Sequence, residues 1–250
     1  MAWALALAQL CWAAADLMSA IRDIVTIGPH RLYLGDAYAI RPILGWMDGD
    51  IMDPPYEFRA EGGGEYRKAR SGGMDQIVNE QLHKGFDHRI INPLLCGAAV
   101  VFCHTDQLPK LLPDLDGLFE RFALCVWRKK NPQPFANKHY RPDVDFYVHC
   151  WSRGYHPQGE LEDKNRVVDA YSVRGDGKFG HPTVKPNSVM DKIITNVAGA
   201  TICDPFMGTG STGVAAIKAG RIFTGIEHNS DHFATAVGRL TEAYGGAPDA

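Results

Sequence analysis

The chain has 250 residues, of which 45% are hydrophobic and 22% are charged. This length and composition suit a globular protein with one large α/β domain and a sizeable core. The formal net charge of −3 and the sequence pI near 6.4 exclude a protein that attracts nucleic acid by bulk charge, so any nucleic-acid surface has to be local.

The first segment of the chain is apolar at its start. Its run MAWALALAQLCWAAADLM lacks the basic start of a secretion signal, is soon followed by Arg22, and is short for a membrane span. We therefore expect a cytoplasmic protein with an N-terminal extension over residues 1–30. The extension is either a loosely attached helix or a stretch upstream of a true start at Met18.

The next segment contains a predicted strand and a predicted helix. The run RLYLGD (31–36) predicts a strand that ends in an acid, AYAIRPIL predicts a helix broken at Pro42, and the short apolar run DIM leads into MDPPYEF (52–58). Residues 57–75 are rich in glycine and arginine, which is typical of a loop.

Three apolar runs in the middle of the chain predict further strands. They are GAAVVFC (97–103), RFALCVWRK (121–129) and DVDFYVHCW (143–151). Several of the six cysteines lie in such runs, and none forms a Cys-x-x-Cys pair. We interpret them as reduced, buried residues and expect neither a disulfide nor a metal site. The six are Cys11, Cys96, Cys103, Cys125, Cys150 and Cys203.

The C-terminal part alternates between helices and strands. The run TVKPNSVMDKIITNVAG (183–199) has a proline in its first turn, apolar residues at helical spacing and a glycine at its end, which predicts a helix. ATICD then predicts a strand, PFMGTGSTG a glycine loop, VAAIKAG a helix and RIFTGIE a strand. Such alternation favours a mostly parallel sheet with helices on both faces.

The glycine loop indicates a nucleotide site. Gly208, Gly210 and Gly213 spell G-x-G-x-x-G between a predicted strand and helix, and Glu227 ends the next strand, where an acid can bind ribose hydroxyls. Asp204, just before the loop, would repel a pyrophosphate but would pair with an ammonium. S-adenosylmethionine carries an ammonium and a ribose but no phosphate, so it suits the loop better than a dinucleotide. A turn that binds nothing is the plainer alternative.

The segment DPPY has the chemistry of a clamp for an aromatic amine, whose lone pair is delocalised into its ring. Asp53 and the carbonyl of Pro54 can accept hydrogen bonds from the two N–H groups of the amine and so localise its lone pair. The prolines fix the backbone that holds these acceptors. Tyr56 offers a face on which a base stacks, worth about 1–3 kcal/mol. A base in duplex has to be flipped out to reach it. A simple proline turn is the alternative.

Five ordered motifs resemble the circularly permuted (beta-group) DNA amino-methyltransferases, in which the catalytic half is N-terminal and the cofactor half C-terminal. They are YLGD with DIMDPPY, VWRKKNPQP, HPTVKP, DPFMGTGSTG and RIFTGIE. The resemblance covers about Arg31 to Arg239. It implies an open seven-stranded sheet in one methyltransferase domain over residues 31–240, followed by a tail over 241–250. The loop GTGSTG departs from the family's more common GSGTT, and the chain is short for the family.

The resemblance also implies roles for residues at matching positions. The catalytic clamp would be Asp53, Pro54, Pro55 and Tyr56. The binding site for S-adenosylmethionine would be formed by Asp36 near its adenine, Thr183 and Lys185 at its carboxylate, Glu227 at its ribose, and Asp204, Phe206, Gly208 and Gly210 around its methionine part. Asp36 has a plainer explanation as a helix N-cap, and Lys185 as a surface lysine.

The resemblance further implies double-stranded DNA as the substrate, in the cytoplasm of a bacterium or of a phage-infected cell. In this family Asp before Pro-Pro-Tyr usually accompanies adenine N6 and Ser accompanies cytosine N4, so Asp53 favours adenine. Residues 151–180 are the candidate target-recognition region. Two basic clusters predict contacts with DNA phosphates, although solvated loops have the same composition. Their candidate residues are Arg67, Arg70, Lys129, Lys130, Lys138 and Arg141.

Several alternatives stay open at this point. The clamp also suits cytosine N4, or an amine of RNA or of a protein amide. An NAD-dependent oxidoreductase is disfavoured by Asp204, and a DNA-binding relative with an inactive site is disfavoured because both halves of the site are present. A homodimer and a companion restriction enzyme are compatible with the sequence, which does not require either.

Overall fold

The computed structural model describes residues 20–57, 85–132, 140–173 and 184–246 of the chain. Within these ranges, nine strands form a single sheet. In chain order they are β1 (Ile21–Ile27), β2 (His30–Gly35), β3 (Met47–Met52), β4 (Cys96–Cys103), β5 (Arg121–Lys129), β6 (Val144–Trp151), β7 (Val167–Ala170), β8 (Thr201–Asp204) and β9 (Ile222–Glu227).

Helices cover both faces of this sheet. The α-helices of the described ranges are α1 (Ala37–Ile40), α2 (Leu108–Leu115), α3 (Asn187–Asn196), α4 (Ser211–Lys218) and α5 (Ser230–Gly245). One cluster of buried apolar residues includes side chains of α3, α4 and α5, and the other includes side chains of α1 and α2. All eight residues of β4 are buried, as a strand between two helix layers requires.

The strand order is β1-β2-β9-β8-β3-β4-β6-β5-β7. The run from β2 through β9, β8 and β3 to β4 is parallel throughout, and β5 is parallel to β7. The pairs β1–β2, β4–β6 and β5–β6 are antiparallel. The sheet is therefore mixed, and the expected parallel arrangement describes its centre rather than its edges.

The expected count of seven strands is wrong, because β1 and β7 add one strand at each edge of the sheet. Both have largely exposed or half-buried residues, so neither has the apolar run that indicates a buried strand, and neither was predicted from the sequence. The strand β1 lies in the segment predicted as an N-terminal extension, and α5 continues into the predicted tail. The domain boundaries stay predictions.

The helix predicted after HPTVKP is present as α3. It begins directly after Pro186, which is outside the helix, and its apolar face buries Val189, Met190, Ile193 and Ile194. The helical spacing of these residues thus predicted the face that packs on the sheet. The helix holds the residue before Pro186, Lys185, at the edge of the central strands.

Five cysteines lie in the described ranges, and all of them are buried free thiols, as the sequence predicted. Cys11 lies outside these ranges. No helix among the described residues is long and apolar enough to cross a membrane.

The topology creates a crevice at the centre of the sheet. From β3 the chain continues to its neighbour β4, whereas from β8 it continues to β9 on the opposite side. In open α/β sheets, ligands bind outside the carboxyl ends of the strands at the point where the strand order reverses in this way. The site is therefore expected at the carboxyl ends of β3 and β8.

Candidate active site

Three carboxylates lie at the carboxyl ends of adjacent parallel strands. Asp53 follows β3, Asp204 ends β8 and Glu227 ends β9. A cleft beside these strand ends is lined by Asp53, Asp204, Lys185 and Gly208, together with residues of the glycine loop and of α3 and α4. This arrangement brings the predicted catalytic segment and the predicted glycine loop to one site, although about 150 residues separate them in the sequence.

The glycine loop connects β8 to α4 and is tied to β9. Gly208 and Gly210 have φ angles of 55° and 84°, in the left-handed region that favours glycine. The backbone N–H of Gly208 donates to Glu227 Oε2 at 2.8 Å. A side chain at Gly210 would also come within 2.6 Å of Leu240 on α5. The loop needs glycine here for its backbone shape and for the close approach of α5.

Asp204 is a buried carboxyl, 2% exposed, at the base of the cleft. Its Oδ1 accepts from the backbone N–H of Phe206 at 2.9 Å, and its Oδ2 accepts from the Thr212 hydroxyl at 2.6 Å. Burial raises the pKa of Asp204 to about 7, and the negative charges of Asp53 and Glu227 act in the same direction. A cation placed beside this carboxyl would therefore be strongly favoured.

The pKa of Glu227 is shifted in the opposite direction from that of Asp204. Burial acts to raise its pKa, but His228 and the backbone N–H groups of Asn229 and Gly208 more than offset this and lower the pKa below the usual value. Its Oε1 accepts from the Asn229 N–H at 2.7 Å. Glu227 is thus an ionised acceptor at neutral pH, and its carboxylate faces the glycine loop.

The DPPY clamp, Asp53 to Tyr56, forms the turn after β3. The Tyr56 hydroxyl donates to Asp53 Oδ1 at 3.0 Å, and the Gln107 amide donates to the Pro55 carbonyl at 3.4 Å. Burial and the adjacent Asp53 carboxylate raise the pKa of Tyr56 well above its usual value, so its hydroxyl keeps the proton that it donates. Hydrogen bonds therefore reinforce the rigidity that the prolines give to the turn.

Lys185 contacts the clamp directly. Its Nζ donates to Asp53 Oδ2 and lies 4.8 Å from the ring centroid of Phe102 and 5.4 Å from that of Tyr56. The residue is 6% exposed, so the explanation of Lys185 as a surface lysine is wrong. Its pairing with Asp53 joins positions 132 residues apart and was not predicted from the sequence.

Asp36 follows β2 and caps the short helix α1. Its Oδ1 accepts from the backbone N–H of Tyr38 at 2.9 Å, so the N-cap explanation holds for this residue. The ring of Phe206 meets those of Tyr38 and Phe86 edge-to-face, each at 6.1 Å between centroids. Because Phe206 belongs to the glycine loop and Tyr38 to α1, these contacts join the loop to the helix that Asp36 caps.

The basic residues predicted to contact DNA differ in their surroundings. Lys129 is largely buried and pairs with Asp145 at 2.8 Å, whereas Lys130 is exposed and lies 5.8 Å from the ring centroid of Tyr171. Arg141 is exposed, next to a fully exposed Tyr140. The remaining predicted site residues lie outside the described ranges. They are Arg67, Arg70, Lys138 and Thr183.

A sequence model of the DNA methylase family, which comprises N6 and N4 enzymes, matches residues 51–238. Two curated type II methyltransferases are similar over most of the chain. M2.DpnII of Streptococcus pneumoniae is 27% identical in an alignment of 225 residues in length, and the match covers 78% of this chain and 82% of that protein. M2.LlaDCHI of Lactococcus lactis subsp. cremoris is 26% identical over 227 residues, with coverages of 78% and 82%.

Solved structures share the fold. The structure described as the M1.HpyAVI–SAM complex is 26% identical, with a TM-score of 0.61, and the match covers 84% of this chain and 98% of that one. The cytosine-N4-specific PvuII DNA methyltransferase is 15% identical, also with a TM-score of 0.61, and the match covers 88% and 93% of the two chains. At 15% identity, the similarity to the PvuII enzyme concerns the fold alone.

Proposed function

The chain belongs to the DNA methylase family of N6 and N4 methyltransferases, and we propose that within this family it methylates the N6 amine of adenine in double-stranded DNA. The observation that carries the proposal is the DPPY clamp at the end of β3, beside the cleft that the glycine loop borders. Asp53 is the residue that favours adenine, because Asp before Pro-Pro-Tyr usually accompanies N6 methylation in the family that the motifs resemble.

The residues of the cleft suit S-adenosylmethionine, which supplies an electrophilic methyl group on a sulfonium when bound. We assign the buried Asp204 carboxyl to the cofactor's ammonium and the ionised Glu227 to its ribose hydroxyls. Gly208, Gly210 and Phe206 would surround its methionine part. The solved structure of M1.HpyAVI, which is 26% identical to this chain, is described as a SAM complex, and this supports the same cofactor here.

We propose that the clamp activates the target amine by accepting hydrogen bonds from its two N–H groups. One acceptor is the Asp53 carboxylate and the other is the Pro54 carbonyl. Both acceptors are fixed before the base arrives, because the prolines restrict the backbone and the Gln107 amide binds the carbonyl of Pro55. Tyr56 holds one oxygen of Asp53 and offers a ring to the flipped base.

We propose that DNA phosphates contact the exposed basic residues of the clusters. Lys130 and Arg141 suit this role because both are exposed. Tyr140, next to Arg141 in the sequence, offers an aromatic face. Lys129 is a weaker candidate, because its charge is already paired with Asp145. Residues 151–180 stay the candidate target-recognition region, and both a homodimer and a companion restriction enzyme stay predictions.

The product of the reaction tests this function. The protein is incubated with unmethylated DNA and with S-adenosylmethionine labelled on its methyl group, and the labelled nucleoside is identified after digestion. We expect N6-methyladenine. Labelled N4-methylcytosine would overturn the choice of base and retain the clamp, whereas cofactor binding without any label in DNA would overturn DNA as the substrate.

The pH dependence of cofactor binding tests the assignment of Asp204. Burial raises the pKa of this carboxyl to about 7, so the ionised form that pairs with an ammonium is lost as the pH falls through 7. Below that pH, the dissociation constant of S-adenosylhomocysteine should rise by about tenfold per pH unit. Calorimetric titrations between about pH 5.5 and 7.5 measure this. Asp204→Asn should bind weakly with a nearly flat profile, and a flat wild-type profile would contradict the assignment.

A further inference from the structure

Both oxygens of the Asp53 carboxylate already have donors in this structure. The Tyr56 hydroxyl donates to Oδ1, and the Lys185 ammonium donates to Oδ2. The same ammonium lies 5.4 Å from the ring centroid of Tyr56, the ring proposed to stack on the target base. Lys185 therefore occupies the place at which the proposed reaction needs the target amine.

The cleft also explains why an ammonium is held there. The lining of the cleft within the described residues includes two acidic side chains, Asp53 and Asp204, and one basic side chain, Lys185, and Glu227 ends the adjacent strand. A half-buried carboxylate such as Asp53 is stabilised by a nearby cation when no substrate donates to it. The ion pair is thus a property of the clamp without its base.

Lys185 can serve a second partner without moving its backbone. The residue directly precedes the capping residue of α3, so its main chain is held against the sheet, while its four-carbon stem allows the ammonium to change position. It lines the same cleft as Asp204 and the glycine loop, which we assign to the amino-acid part of the cofactor. A carboxylate bound there would compete with Asp53 for the ammonium.

We propose that Lys185 is a positioning residue that leaves Asp53 for the carboxylate of the bound cofactor, so that cofactor binding frees the clamp for the target amine. This inference rests on the proposed function for the nature of the cofactor. It implies a preferred order, in which the clamp accepts a base after the cofactor is bound. Without cofactor, Lys185 keeps the reactive carboxylate paired and the stacking face of Tyr56 covered.

Competition for Lys185 is measurable without DNA. Dissociation constants are determined by calorimetry for two ligands, S-adenosylhomocysteine and its decarboxylated counterpart, which keeps the amine and lacks the carboxylate. The proteins are wild type, Asp53→Asn, Lys185→Met and the double variant. Asp53→Asn releases Lys185, so we expect this variant to bind S-adenosylhomocysteine more tightly than the wild type does. Relative to the change in affinity for the decarboxylated ligand, the gain should be about fivefold or more. In the Lys185→Met background this ligand-specific gain should disappear.

The comparison between ligands removes the other effects of the substitutions. Loss of the Asp53 charge also changes the environment of Asp204, but both ligands carry the amine that Asp204 binds, so that effect cancels. Lys110→Met is the control, because Lys110 is an exposed lysine paired with Glu57 outside the cleft. It should leave both dissociation constants unchanged.

Each result decides the inference. Equal effects of Asp53→Asn on the two ligands, or a ligand-specific gain that persists in the double variant, would overturn it while leaving the methyltransferase proposal intact. If neither ligand binds the wild-type protein, the cofactor assignment itself fails and the inference fails with it. The nucleoside that the enzyme methylates does not affect the outcome, because no DNA is present.

Discussion

Replacing Asp53 with alanine is expected to slow methyl transfer to DNA by about 10²–10³-fold while cofactor binding is retained. The carboxylate is the acceptor that localises the lone pair of the target amine, and removal of one such preorganised group typically has an effect of this size on kcat. The residue follows β3 and is only half-buried, so its loss removes little apolar packing, and the contact that it breaks is the ion pair with Lys185. Single-turnover transfer of labelled methyl groups measures the effect.

The matched control for Asp53→Ala is Glu57→Gln at the other end of the same turn. Glu57 pairs with Lys110 on the surface, where a single ion pair contributes little. This variant should transfer methyl groups at nearly the wild-type rate. If Asp53→Ala kept a substantial kcat on DNA, the clamp would not be the catalytic centre, whatever the product.

The elements that the sequence predicted best are those with an uninterrupted apolar pattern. The run RFALCVWRK coincides with β5, and GAAVVFC with all but the first residue of β4. The edge strand β1 escaped recognition because most of its side chains face solvent, so its pattern carries no signal of burial. The C-terminal helix α5 was likewise not recognised, although Asn229 is a clear N-cap whose side chain accepts two backbone N–H bonds.

The candidate site was predictable in its parts rather than in its contacts. Asp204 and Glu227 each end a predicted strand and Asp53 follows a short apolar run, and parallel strands of one sheet present their carboxyl ends at one edge. Local sequence carries no information on which distant side chains pair there. The Lys185–Asp53 contact and the Gln107 hydrogen bond to Pro55 therefore required the structure.

A second pair that sequence could not predict lies under the clamp. Arg41 and Asp50 are almost fully buried and form a two-pronged ion pair, with Nε to Oδ2 and Nη2 to Oδ1 both at 2.9 Å. Arg41 also donates to the carbonyls of Gly45 and Leu95, each at 2.8 Å. Asp50 belongs to β3, three residues before Asp53, so this pair anchors the strand that ends in the clamp.

Arg41→Met is expected to destabilise the protein by about 3–5 kcal/mol, because it leaves a buried carboxylate without its counterion. That is a large part of the roughly 5–15 kcal/mol that stabilises a typical domain. For a chain of this size, the melting temperature should fall by roughly 6–20 °C, or the folded protein should be lost. Thermal unfolding followed by circular dichroism measures this change.

Two further variants separate burial from the loss of an ion pair as such. Arg128→Met breaks an equally well-formed Arg–Asp pair on the surface, with Asp169, and should leave the melting temperature nearly unchanged. Arg41→Met combined with Asp50→Leu removes both buried charges and should recover part of the stability, since an apolar pair can replace a buried ion pair at little cost. A melting temperature unaffected by Arg41→Met would show that the ion pair does not stabilise β3 or the clamp at its end.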